Sequence, residues 1–107
     1  MKTLSLAIVL LLASGMVHAN VSCFGTVQRV YAGAHGPSPA STMFWVQIPS
    51  GLYRLGLVTD DLAKARYAMA LSAFMAGRPL ILKFFAHTTC DQALLDGVIP
   101  TEMYVDP

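Results

Sequence analysis

The stretch Asp60 to Pro79, DDLAKARYAMALSAFMAGRP, constrains this chain more than any other, because it has a marked start, a marked stop and almost no solvent face. Thr59 reads as the N-cap, and Asp60 and Asp61 put negative charge where the helix dipole favours it. Gly77 followed by Arg78-Pro79 stops the helix, since glycine tolerates a left-handed cap and proline cannot continue the ladder. Good helix formers fill the interval, with no internal Gly or Pro. On the helical wheel Tyr67, Leu71 and Phe74 form a bulky side with Met75 at its edge. Leu62, Ala65, Met69, Ala73 and Ala76 form a second side of smaller residues, and Lys64, Arg66 and Ser72 are scattered around the wheel. A surface helix shows one apolar stripe and a polar back. This one reads as covered from two directions. Either its own sheet wraps it and leaves small alanines facing water, or the bulky side packs on the sheet and the Ala/Met side meets a neighbouring subunit. On the second reading Leu62, Ala65, Met69, Ala73 and Ala76 are an oligomer interface, and Ala73→Glu leaves a monomer intact.

Residues 1–19 read as an export signal. Met1-Lys2 supplies a short positive start, Leu4 to Leu12 an apolar core, and Val17-His18-Ala19 a signal-peptidase site. The apolar run is shorter than the roughly 20 residues that span a bilayer, so no membrane span is expected in the mature chain. The mature chain, residues 20–107, is expected to be one small domain, secreted or periplasmic, from a bacterial source. Its six basic residues are balanced by six acidic ones. That balance argues against nucleic acid, which needs a basic excess or stripe, and gives no polybasic signal for a membrane surface. Cys23 and Cys90 are the only cysteines. In an oxidising compartment they read as a disulfide, worth on the order of 4 kcal/mol by the chain-entropy model. No Cys-x-x-Cys spacing supports redox catalysis or a zinc site.

Val21 to Tyr31 reads as a first strand, with Gly25 placed to bend it, and Ala32 to Ser41 as a Gly/Pro/Ser loop. Thr42 to Ile48 and Leu52 to Val58 flank the turn Pro49-Ser50-Gly51 and predict an antiparallel hairpin. Leu80 to Ala86 is a fourth strand, apolar nearly throughout. Asp91 to Leu95 suggests a helical turn that ends in the turn signal Asp96-Gly97. Val98-Ile99 with Met103 to Val105 then makes a fifth strand interrupted by Pro100. The order β-β-β-α-β-β predicts an all-β or α+β fold. The expected form is an OB-like five-stranded barrel with one central helix between strands 3 and 4.

Leu62-x-x-Ala65-Arg66-Tyr67 followed by Ala76-Gly77-Arg78-Pro79-Leu80-Ile81-Leu82 resembles the helix-to-strand passage of secreted bacterial toxin B subunits of the pertussis and subtilase-cytotoxin kind. The resemblance covers about a quarter of the mature chain. It implies an OB-fold, a ring of five subunits with helices lining the pore, recognition of cell-surface glycans, and an A-type toxin chain as a partner. Those B subunits carry more cysteines than the single pair here, and their sugar-contacting positions find no match residue by residue.

No catalytic constellation is visible, so the chain is not expected to be an enzyme or to carry a cofactor. His35 lies in the Gly/Pro loop, His87 follows strand four, and with Asp91 they make a poor metal set. Binding is better supported. On OB folds, ligands meet the face of strands two and three and the loops beside it. Here those elements carry Trp45, Gln47, Tyr53, Arg54, His35, Ser38, His87 and Thr88. Rings beside hydroxyl and amide groups suit a sugar, which has apolar C–H faces and many hydroxyls. Trp45 and Tyr53 could equally be core or interface aromatics. Two functions are therefore expected in competition. One is a homo-oligomeric recognition subunit for a glycan or a host protein. The other is a stand-alone monomeric structural or inhibitory protein that binds another envelope protein.

Overall fold

A computed structural model describes residues 20–34 and 42–107. The export signal read at residues 1–19, and the candidate ligand residues His35 and Ser38, lie outside the described residues.

The predicted first strand is two strands. β1 spans Val21–Thr26 and β2 spans Arg29–Ala34, and they belong to different sheets. The break falls at Val27-Gln28, not at Gly25: Val27 turns into the core, and the Gln28 N–H donates to the Gln47 carbonyl at 2.8 Å. β3 (Thr42–Ile48) and β4 (Gly51–Leu57) form the expected antiparallel hairpin, with Val46 opposite Tyr53. α1 (Asp61–Ala76) follows, then β5 (Pro79–Phe84), α2 (Cys90–Asp96) and β6 (Glu102–Val105).

Among the described residues, six strands in two antiparallel three-stranded sheets, β1-β5-β6 and β2-β3-β4, replace the expected OB-like five-stranded barrel. The fold of the described residues is a small α+β one with two helices. β1 and β6 edge one sheet and β2 and β4 the other, and no ladder joins β4 to β6, so the sheets do not close into a barrel. Pro100 contributes to this. It lacks an N–H for a ladder and is buried, and Val98-Ile99 runs outside β6 as irregular chain. One apolar cluster lies between the layers, built from Val46, Ile48, Tyr53, Leu55, Leu80, Leu82 and Phe84 with the small residues Ala70, Ala73 and Ala93.

α1 lies against β2, β3 and β4 of one sheet and β5 and β6 of the other. Its N-cap is Asp60 and not Thr59: the Asp60 carboxylate accepts from the Leu62 N–H at 3.1 Å. At the other end Gly77 takes the left-handed conformation, and the Arg78 N–H returns to the Ala73 carbonyl at 3.0 Å. Which face goes inward differs from the expectation. Ala63, Ala70 and Ala73 are fully buried, whereas Leu71, Phe74 and Met75 are 37%, 46% and 78% exposed. Of the bulky side only Tyr67 turns in, stacking on Phe44 with ring centroids 4.3 Å apart.

The reason is the separation between helix and sheet. Opposite Ala63, β4 carries Gly56 at φ +119°, and a Cβ there would sit 2.8 Å from the Ala63 Cβ. At that distance only alanine fits beneath the helix, so the large residues face out. A β-bulge accompanies the approach. Between Phe44 and Trp45 the register shifts, because Leu55 is the extra residue on β4, and Arg66 of α1 donates to the Leu55 carbonyl at 3.1 Å.

The proposed interface set therefore divides. Leu62, Ala65 and Ala76 are exposed, Met69 packs partly on the core, and Ala73 is inside it. Ala73 cannot be an interface residue. Ala73→Glu is expected to put an unpaired carboxylate into the core and cost on the order of 3–5 kcal/mol. A thermal melt followed by circular dichroism should find the variant unfolded or strongly destabilised; a melt like that of the wild type would contradict this placement of α1.

Candidate functional site

Along β2, β3 and β4, alternate residues leave the core for the opposite side of the sheet. Arg29 and Tyr31 of β2 lie beside Gln47 and Trp45 of β3, and Arg54 of β4 lies on the other side of Trp45. The result is a row of stacked rings and guanidinium planes. Arg29 sits 5.0 Å from the Tyr31 ring centroid, Tyr31 and Trp45 are near-parallel at 6.3 Å, and Arg54 sits 5.6 Å from the Trp45 centroid. Arg29 also donates from Nε to Gln47 Oε1 at 3.0 Å, and Trp45 Nε1 donates to the Gly33 carbonyl at 3.2 Å. Each cation lies over a ring face, where the quadrupole attracts it. No carboxylate occupies this face of the three strands.

The end of α2 borders the row. Gly97, in the left-handed conformation that closes the helix, lies against Arg54: a Cβ there would come within 3.2 Å of Arg54 Cζ. Between helix and sheet is an open cavity of about 220 Å³, lined chiefly by Trp45, Leu52, Arg54, Leu94, Asp96 and Val98. His87 and Asp96 share a hydrogen bond of 2.7 Å from Nε2 to Oδ2, which ties the chain leaving β5 to the end of α2. The start of α2 is fixed twice. Thr89 caps it by accepting from the Gln92 N–H at 3.1 Å, and the disulfide Cys23–Cys90 joins its first residue to β1 with Cα atoms 5.8 Å apart.

Of the residues singled out from the sequence, Trp45, Gln47 and Arg54 share one face, as grouped. Tyr53 does not join them. It points into the core, 2% exposed, stacked on Phe84 at 5.7 Å with its hydroxyl 2.8 Å from Ser50 Oγ. Its neighbour Arg54 takes the outward position that alternation denies Tyr53. His87 is across the cavity, engaged with Asp96, and Thr88 is on the exposed start of α2, donating to Gln92 Oε1 at 3.0 Å. Trp45 is only 7% exposed, so its ring supports Arg54 and Tyr31 rather than offering a bare stacking surface. Arg29 and Tyr31 complete the row and were missed. The available signal was the period-two alternation of Arg29, Tyr31 and Gly33, hidden by treating Val21 to Tyr31 as one strand.

Among the described residues no group of three or more His, Cys, Asp or Glu side chains could hold a metal ion, and both cysteines are in the disulfide. No helix among them is long and apolar enough to cross a membrane. No protein-family model, no curated protein and no solved structure matches the chain.

Burial raises the pKa of the Tyr53 hydroxyl above its ordinary value; the Ser50 hydrogen bond partly offsets this, and the charge of Asp91 adds to it. A phenol whose ionisation is disfavoured in the fold contributes stability below its unfolded value, near 10, and loses it as pH rises through the folded value. Tyr53→Phe removes the Ser50 bond, a loss of about 1 kcal/mol at pH near 8, but also removes this alkaline penalty. Urea unfolding across the alkaline range should therefore show the gap between wild type and variant closing as pH rises; a gap independent of pH would refute the burial of this hydroxyl.

Proposed function

We propose that the chain is an exported, non-enzymatic recognition protein that binds a cell-surface glycan on the outward face of β2, β3 and β4. The observation that carries this reading is the row Arg29–Tyr31–Trp45–Arg54 with Gln47 beside it: two cations, two rings and an amide, and no carboxylate on that face. Export is supported by the N-terminal leader pattern and by the disulfide, which persists in oxidising compartments.

The chemistry suits a sugar carrying a carboxylate or sulfate. A guanidinium held flat on a ring loses little entropy on binding and presents planar N–H donors to two acceptor oxygens at once. Gln47 adds an amide that can meet a hydroxyl, and the cavity beside Arg54, whose one carboxylate, Asp96, is engaged by His87, gives depth next to an otherwise flat sheet. Trp45 has an indirect part here, as the surface on which Arg54 is held.

Arg29 is exposed and contributes nothing to the core, so Arg29→Ala tests the face without unfolding the protein. A glycan array probed with the purified protein should retain signal on acidic glycans, and the variant should lose at least about tenfold in affinity, as expected for one charge-assisted hydrogen bond. Retention of no glycan by the wild type, or equal retention by both proteins, would overturn the reading.

A further inference from the structure

Asp96 is the one carboxylate lining the cavity beside Arg54, and the chain places it within reach of that guanidinium. Gly97, the next residue, lies so close that a Cβ on it would be 3.2 Å from Arg54 Cζ. Consecutive Cα atoms are about 3.8 Å apart, so a turn of the Asp96 side chain and a small swing of Arg54 would bring the two into an ion pair. The structure holds a different pair. Asp96 Oδ2 accepts from His87 Nε2 at 2.7 Å, an ionised carboxylate being an acceptor only, and Arg54 stays over the Trp45 ring at 5.6 Å. Among the described residues the ion pairs are this one and Lys64–Asp61 on α1, so no carboxylate neutralises Arg54. His87 is the better fixed of its pair. Its side chain is 13% exposed, against 59% for Asp96 at the last position of α2. It also lies two residues before the Thr89 cap and three before Cys90, which the disulfide ties to β1.

We infer that His87 is a positioning residue for the candidate site: by holding Asp96 it keeps that carboxylate off Arg54, and leaves the guanidinium on Trp45 with its donors open to an anionic ligand. The part that concerns the ligand rests on reading the outward face of β2, β3 and β4 as one that binds an acidic glycan. Without the His87 bond, Asp96 is an internal competitor. It would cover the planar N–H fork with the same kind of group that an acidic sugar presents. His87 thus sets specificity without touching the ligand, and it does so for anions in particular. An uncharged sugar meeting Gln47 does not compete with Asp96 and is indifferent to where that carboxylate points.

The test uses His87→Ala, with His87→Leu in parallel to keep the bulk of the ring, and each of them again with Asp96→Asn. Trp45 is the only tryptophan, so its fluorescence reports whether Arg54 lies on the ring. Both single variants should move the emission toward that of Arg54→Ala. They should also weaken binding of a sulfated tetrasaccharide about fivefold, the scale of one partly exposed ion pair. Adding Asp96→Asn removes the competing charge while the tie stays broken, so emission and affinity should both return to the wild-type values. A tie that served only to anchor α2 would show no return. Emission unchanged in the single variants, a change that Asp96→Asn does not restore, or, where the wild type binds, an affinity that does not fall would overturn the inference. Retention of no tetrasaccharide by the wild type would count against the glycan reading alone, because the Trp45 signal decides the position of Arg54 without any ligand.

Discussion

The close approach of α1 to β4 at Ala63 and Gly56 is the constraint on which the rest of this structure depends. A side chain at Gly56 would collide with the helix, and its backbone takes a conformation that residues with a side chain rarely adopt. With no Cβ there, the helix descends until only alanines fit beneath it. The bulge at Leu55 belongs to the same arrangement, because the extra residue lets Leu55 and its neighbour Gly56 both lie on the inner side, opposite Phe44 and under the helix. Arg66 donates to the bulged carbonyl and so locks helix to sheet with a directed bond as well as a packed one. The outward position of Arg54, which the candidate site needs, thus follows from how the helix sits on the other side.

The second element that shapes the site is the disulfide. α2 has only seven residues, too short to be stable alone, and it is held by its Thr89 cap, by Ala93 and Leu94 against the core, and by Cys90 to Cys23 of β1. It is this attachment that brings Gly97 against Arg54 and forms the cavity wall. The bond therefore links β1 to the wall of the candidate site on the other sheet, through the placement of a short helix.

Several elements were legible because their signals are local, although they assemble into two sheets and not the expected barrel. The Gly77 end of α1, the β3–β4 hairpin, the turn at Asp96-Gly97 and the cysteine pair each need only a few neighbouring residues to specify them. The orientation of α1 was not legible in the same way. A helical wheel ranks faces by hydrophobicity, and here both faces are apolar; what decides between them is the volume available under the helix. That volume is set by Gly56, which precedes Ala63 by seven residues but belongs to another element. The division of Val21 to Ala34 into two strands escaped for a related reason. Both halves have strand-forming composition, and only the burial of Val27 at the corner distinguishes a change of sheet from a bend. Once that corner is known, Arg29 and Tyr31 fall beside Gln47 and Trp45 by alternation alone. Tyr53 and Arg54 were grouped as equals because they are adjacent, although adjacent strand residues face opposite sides.

An alanine-lined helix underside has a cost that appears on its outer side. Leu71, Phe74 and Met75 forgo much of the roughly 1.5–3 kcal/mol that each could gain from full burial. α1 packs on the inner side of the β2-β3-β4 sheet, while Arg29, Tyr31 and Arg54 lie on its outer side. The helix thus bears on the outer face of that sheet from its inner side, through the Gly56 contact and the Arg66 bond to Leu55, even though the two surfaces share no residue.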